Sequence, residues 1–91
     1  MTNIKMRSCD RNEYSAYRDK ATRCIRSAEF LLQDGSPAHS LGAVIVSIHA
    51  AHFLITGLCA YRLGQMPVKD VTHTDYPSAL TLLPEFNKES K

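Results

Sequence analysis

The chain has 91 residues, enough for one small domain, and its composition of 44% hydrophobic and 22% charged residues with four Gly and four Pro is that of an ordinary globular protein. This excludes collagen-like, low-complexity and acidic disordered chains. The formal charge of +2 is too slight for a dedicated nucleic-acid or membrane binder, and residues 1 to 46 carry the whole excess. Three cysteines, Cys9, Cys24 and Cys59, form an odd set without Cys-x-x-Cys spacing, which argues against a disulfide framework or a thiolate zinc site. No apolar stretch leads to a small-residue cleavage site near Met1, so the expected location is the cytoplasm.

Asp10 and Glu13 have the spacing of a capping box, which predicts a first helix over about 11–33. Along it Tyr14, Tyr17, Ala21, Cys24, Ala28 and Leu31 recur at alternating three and four residues, the signature of one buried face. Gln33-Asp34-Gly35 closes that pattern, and Ser36-Pro37 opens a second helix expected at about 37–63, so the two form a hairpin. No Asp, Glu, Lys or Arg stands between Gly35 and Tyr61. That run is long enough to cross a bilayer, but His39, Ser47, His49, His52 and Thr56 interrupt it. A core helix sheathed by neighbours or by a second copy of the chain is the better reading, and no membrane is expected.

At 100° per residue Ala43, Ala50 and Gly57 fall within about 40° of arc, a row of small residues where two backbones can approach. The row suits either the first helix or a homodimer seam, and the first helix is preferred. Pro67, Lys69, Asp70 and Thr72 mark 64–74 as a loop. A third helix is expected at about 75–84, capped by Thr74 or Asp75 and ended or kinked by Pro84. With no strand-like alternation and no hairpin turn signal, the predicted class is all-α.

Chemistry has few places to sit. His49, His52 and Thr56 form a polar strip on the second helix, within about 60° of arc. His-x-x-His is a metal-pair spacing, but no Glu stands between the two, and the expectation is a pair of core histidines bonded to backbone or to Thr56, with no metal. In Lys69-Asp-Val-Thr-His73-Thr-Asp75 an imidazole lies among carboxylates and a cation, a setting for a general acid or base or simply for a surface loop. Arg11, Arg18 and Arg26, with Arg7 if the helix extends back that far, line one edge of the first helix; they suit phosphates of RNA or DNA, or a solvated face. No phosphate cradle or nucleophile motif occurs, and no cofactor is implied.

The segment Ala43-Val-Ile-Val-Ser-Ile-His-Ala-Ala-His-Phe-Leu-Ile-Thr-Gly-Leu-Cys-Ala-Tyr-Arg-Leu-Gly64, followed by a loop with His73 and by Ala79-Leu-Thr-Leu-Leu83, resembles HEPN domains, most of all their small uncharacterised bacterial members. The order of features matches over residues 10 to 83. The resemblance implies an antiparallel up-and-down helical bundle that forms homodimers. It also implies a role linked to RNA cleavage, toxin–antitoxin modules, phage defence or nucleotide binding, with RNA, a nucleotide or a cognate protein as partner. Its ribonuclease members carry Arg, four to six residues, then His; before His73 those positions hold Met66, Pro67 and Val68. Arg62 and Lys69 flank the loop instead. If the chain cleaves RNA, His73 is the acid or base, with Arg62 or Lys69 on the phosphate. HEPN domains have four or five helices, so a further helix is expected from a partner copy or from sequence beyond residue 91. The reading is a binding or regulatory module, with a protein–protein module lacking any nucleic-acid role as its rival.

Overall fold

A computed structural model describes residues 5–68 and 75–86. It is mostly helical: α1 spans Tyr14–Leu32 and α2 spans Pro37–Leu63. The capping box forms as the spacing requires, with Asp10 Oδ1 accepting from the Asn12 N–H at 2.9 Å and Glu13 Oε2 from the Asp10 N–H at 3.3 Å. The turn it starts, Arg11–Glu13, is a 3-10 turn that leads into α1. At the next boundary Asp34 accepts from the Ser36 N–H at 3.0 Å and the Ser36 hydroxyl from the His39 N–H at 3.2 Å. Pro37 then occupies a first-turn position where its missing donor costs nothing. Gly64, left-handed at φ 66°, ends α2 and returns its N–H to the Ala60 carbonyl at 3.0 Å.

The small row on α2 belongs to α1. Ala43, Ala50 and Gly57 are buried, as are Ala21 and Ala28 across from them. A Cβ on Gly57 would stand 3.3 Å from the Tyr14 carbonyl oxygen and from Tyr17 Cβ, whereas one on Gly42 would meet only Leu31 Cδ1, at 3.5 Å. Small-on-small packing brings the helices close but leaves the large side chains outside the seam.

The all-α expectation needs correcting in one respect. A two-stranded antiparallel ribbon joins β1, Met6–Ser8, to β2, Gln65–Pro67, with Arg7 opposite Met66. Cys9 N–H to the Gly64 carbonyl (3.0 Å) and Val68 N–H to the Lys5 carbonyl (3.1 Å) extend it at both ends. Three-residue strands show no alternation, and these two are far apart in sequence, so no hairpin signal exists. The first part of the expected 64–74 loop is therefore strand. Over the expected third helix the chain forms α3, Asp75–Ala79, then 3-10 turns at Leu80–Leu82 and Pro84–Phe86. Leu83 between them is extended at φ −98°, ψ 132°, the conformation imposed on a residue that precedes proline. Ala79 closes a core with Ile55 and Cys59, and Met6, Leu63, Tyr76 and Leu80 pack around it.

Candidate functional site

Among the described residues, one face of α2 is covered by neither α1 nor α3. By length and composition α2 is apolar enough to cross a membrane, yet only 33% of its most apolar stretch is buried. Two shallow hollows follow the seam with α1 along one side of the molecule. The larger, of about 370 Å³, has Leu32, Ser40, Val44, Ser47 and Ala51 in its wall; the smaller, of about 210 Å³, has Tyr14, Arg18, Leu54, Leu58 and Tyr61. In the second hollow Tyr14 and Tyr61 meet at 4.9 Å with their planes tilted by 59°, and the Arg18 guanidinium sits 5.5 Å from the Tyr14 ring centre. Val44 (56%), Leu54 (47%) and Tyr61 (53%) are half exposed along this side, and Phe30, Leu41 and Ile45 are exposed outside the two hollows.

Of the sequence-predicted catalytic residues, Arg62 alone lies among the described residues. His73 and Lys69 lie outside the described residues. Arg62 forms a two-pronged pair with Glu85, donating through both terminal nitrogens to the two carboxylate oxygens. That pairing raises the Arg62 pKa and holds the Glu85 carboxyl below its ordinary value, chiefly by the same hydrogen bonds. Arg62 thereby ties the end of α2 to the Pro84–Phe86 turn.

The basic edge is divided. Arg11 donates to the Tyr61 carbonyl at 3.1 Å and lies along Gly64, placing a cation at the negative end of α2. Arg7 donates to the Met66 sulfur at 2.9 Å, and the Tyr17 hydroxyl approaches the same buried sulfur at 3.6 Å. Arg18 stands 3.9 Å from Asp19 and over Tyr14, while Arg26 is exposed.

The polar strip is partly structural, but the expected pair of core histidines does not form: His49 is exposed and His52 only half-buried. His49 Nδ1 lies 2.9 Å from the Ile45 carbonyl, and the buried Thr56 hydroxyl donates to the His52 carbonyl at 2.9 Å. The His52 ring stacks on Tyr76 at 4.3 Å and 13°, so part of the strip serves to seat α3. His49 and His52 stand 6.5 Å apart, and no three His, Cys, Asp or Glu residues cluster for a metal among the described residues. Burial raises the Cys59 thiol pKa, with the nearby Cys9 adding to it.

The exposed row along α2 escaped the sequence reading. Its signal was present: Ser40, Val44, Ser47 and Ala51, continued by Leu54, Leu58 and Tyr61, alternate at four and three residues. In a helix with no charged residue before Arg62, that row has little contrast to mark it. The chain matches no protein-family model, no curated protein and no solved structure.

Proposed function

We propose that the chain is a non-catalytic helical binding module that works as a homodimer, with the open face of α2 as its working surface. The half-exposed row of Val44, Leu54 and Tyr61 beside two apolar hollows carries this reading, because such a face is the mark of a protein interface. Commitment of Arg62 to Glu85 supports it from the other side, since a phosphate would have to displace a two-pronged carboxylate. On this proposal the architecture is HEPN-like, an antiparallel up-and-down bundle, and the setting is a cytoplasmic RNA-linked or toxin–antitoxin defence system in which the module binds or regulates. The RNA link rests on the exposed Arg26, since Arg18 lines the smaller hollow of the working surface. Without it, the chain is a protein–protein module alone.

Labelled RNA mixed with purified protein, with and without a chelator, tests the reading. The RNA stays intact, and its binding weakens steeply as salt rises, because arginine contacts to phosphate release counterions. Cleavage that disappears in a folded His73→Ala variant would replace the module by a ribonuclease. Failure to bind RNA at low salt would remove nucleic acid and leave the protein–protein role.

A further inference from the structure

Resting on the binding-module reading, we infer that the open face of α2 is covered by α2 of a second copy running antiparallel, with Val44 of each copy against Tyr61 of the other.

The face is the right size. Six large apolar side chains on it, Ile25, Leu32, Val44, Ile48, Leu54 and Tyr61, are 44% to 56% exposed. At roughly 100 Å² each they leave about 600 Å² uncovered, and the smaller residues between them bring the face near the about 800 Å² per partner of a standard interface. No Asp, Glu, Lys or Arg lies between Gly35 and Tyr61, so two copies of this stretch meet without like-charge repulsion.

The face also complements itself when reversed. On the row itself its first half carries Ser40, Val44, Ser47 and Ala51 around the larger hollow, of about 370 Å³, whose wall also includes Ile48 and Leu32. Its second half carries the bulkier Leu54, Leu58 and Tyr61. The row alternates at four and three residues, the spacing by which one helix tracks another. In an antiparallel pair with the two-fold axis at the level between Ala51 and Leu54, each layer of the row sets the smaller side chain of the pair against the larger. Val44 meets Tyr61, Ser47 meets Leu58 and Ala51 meets Leu54, so the large half of each copy fills the hollow of the other. A parallel pair stacks large on large and small on small, leaving the hollow unfilled at close-packed distances. A bilayer is a poorer cover, because Arg18 lines the smaller hollow and would face acyl chains.

Sedimentation equilibrium of the wild type, Val44→Glu, Tyr61→Lys and an equimolar mixture of the two variants tests the inference, with circular dichroism confirming that each variant is helical. The wild type sediments as a dimer. Each single variant weakens dimerisation by about 100-fold, the effect of a charge buried opposite an apolar partner. The mixture recovers dimer, because Glu on one copy then faces Lys on the other. A monomeric wild type, including one that pellets with phospholipid vesicles, overturns the inference, as does a dimer indifferent to Val44→Glu or a mixture that stays monomeric. The RNA assay is independent: a dimer that cleaves RNA removes the non-catalytic reading but keeps the interface, and a monomer that leaves RNA intact removes the interface and the homodimer but keeps the non-catalytic reading.

Discussion

Two glycines on α2 provide a sharp test of how α1 and α2 pack, because the same substitution has opposite signs at the two sites. In a helix interior Gly→Ala gains about 1 kcal/mol from backbone entropy alone. At Gly42 the added Cβ meets only Leu31 Cδ1 at 3.5 Å, an ordinary contact with the end of a flexible side chain, so most of that gain survives. Gly57 differs because the new methyl meets the Tyr14 carbonyl oxygen and Tyr17 Cβ, both at 3.3 Å. Neither atom swings away, and α1 must shift by a few tenths of an ångström at a cost of about 1–3 kcal/mol. Gly42→Ala therefore stabilises by about 0.5–1 kcal/mol, and Gly57→Ala destabilises by about 1 kcal/mol. Urea unfolding at one fixed protein concentration reads both, and thermal midpoints should move apart by roughly 4–8 °C per kcal/mol. Equal stabilisation by both substitutions would refute the close approach at Gly57.

Three further outcomes are expected. Asp34 is held below the ordinary carboxylate range first by the Ser36 N–H and then by His39, and Glu85 chiefly by Arg62, so each stabilises the fold above that range and loses the contribution as pH falls through its depressed value. Melting temperature should drop between about pH 5 and pH 3, and the drop should shrink in Asp34→Asn and Glu85→Gln; unchanged slopes would contradict both pairings. Burial of Cys59, at 0% exposure, should protect it from alkylation until the protein unfolds while the partly exposed Cys9 and Cys24 react, and mass spectrometry of labelled peptides reads the order. Arg11→Met should cost about 0.5–1 kcal/mol by removing the cation at the C-terminal end of α2, and an unchanged unfolding midpoint would deny it that role.

Helix ends were legible because they are written in neighbouring residues. Asp10 with Glu13, Ser36 with Pro37, and the left-handed Gly35 and Gly64 each satisfy backbone groups within a few positions of themselves. The groove for α1 was legible too, since three small residues seven apart on a helix admit a neighbour whatever that neighbour is. What stayed hidden depends on contacts distant in sequence. The ribbon pairs Arg7 with Met66, 59 residues apart, over strands too short to alternate. Arg11 and Arg62 read as phosphate-facing cations from their own segments, yet each is engaged by a group far along the chain, the Tyr61 carbonyl and Glu85. The open face is a remainder. It is defined by where α1 and α3 stop, and the alternation of Val44, Leu54 and Tyr61 does not by itself announce which side of α2 will be left uncovered.

On our inference this remainder is a surface for a second copy in reversed orientation. An isotope-filtered NMR experiment on a mixture of labelled and unlabelled protein tests it most directly. Within one chain Val44 and Tyr61 are separated by about 25 Å along α2, far beyond the range of a nuclear Overhauser effect. An intermolecular cross-peak between the Val44 methyl groups and the Tyr61 ring is the predicted result. A spectrum without intermolecular peaks on α2, or one with Val44 facing Val44, would contradict it.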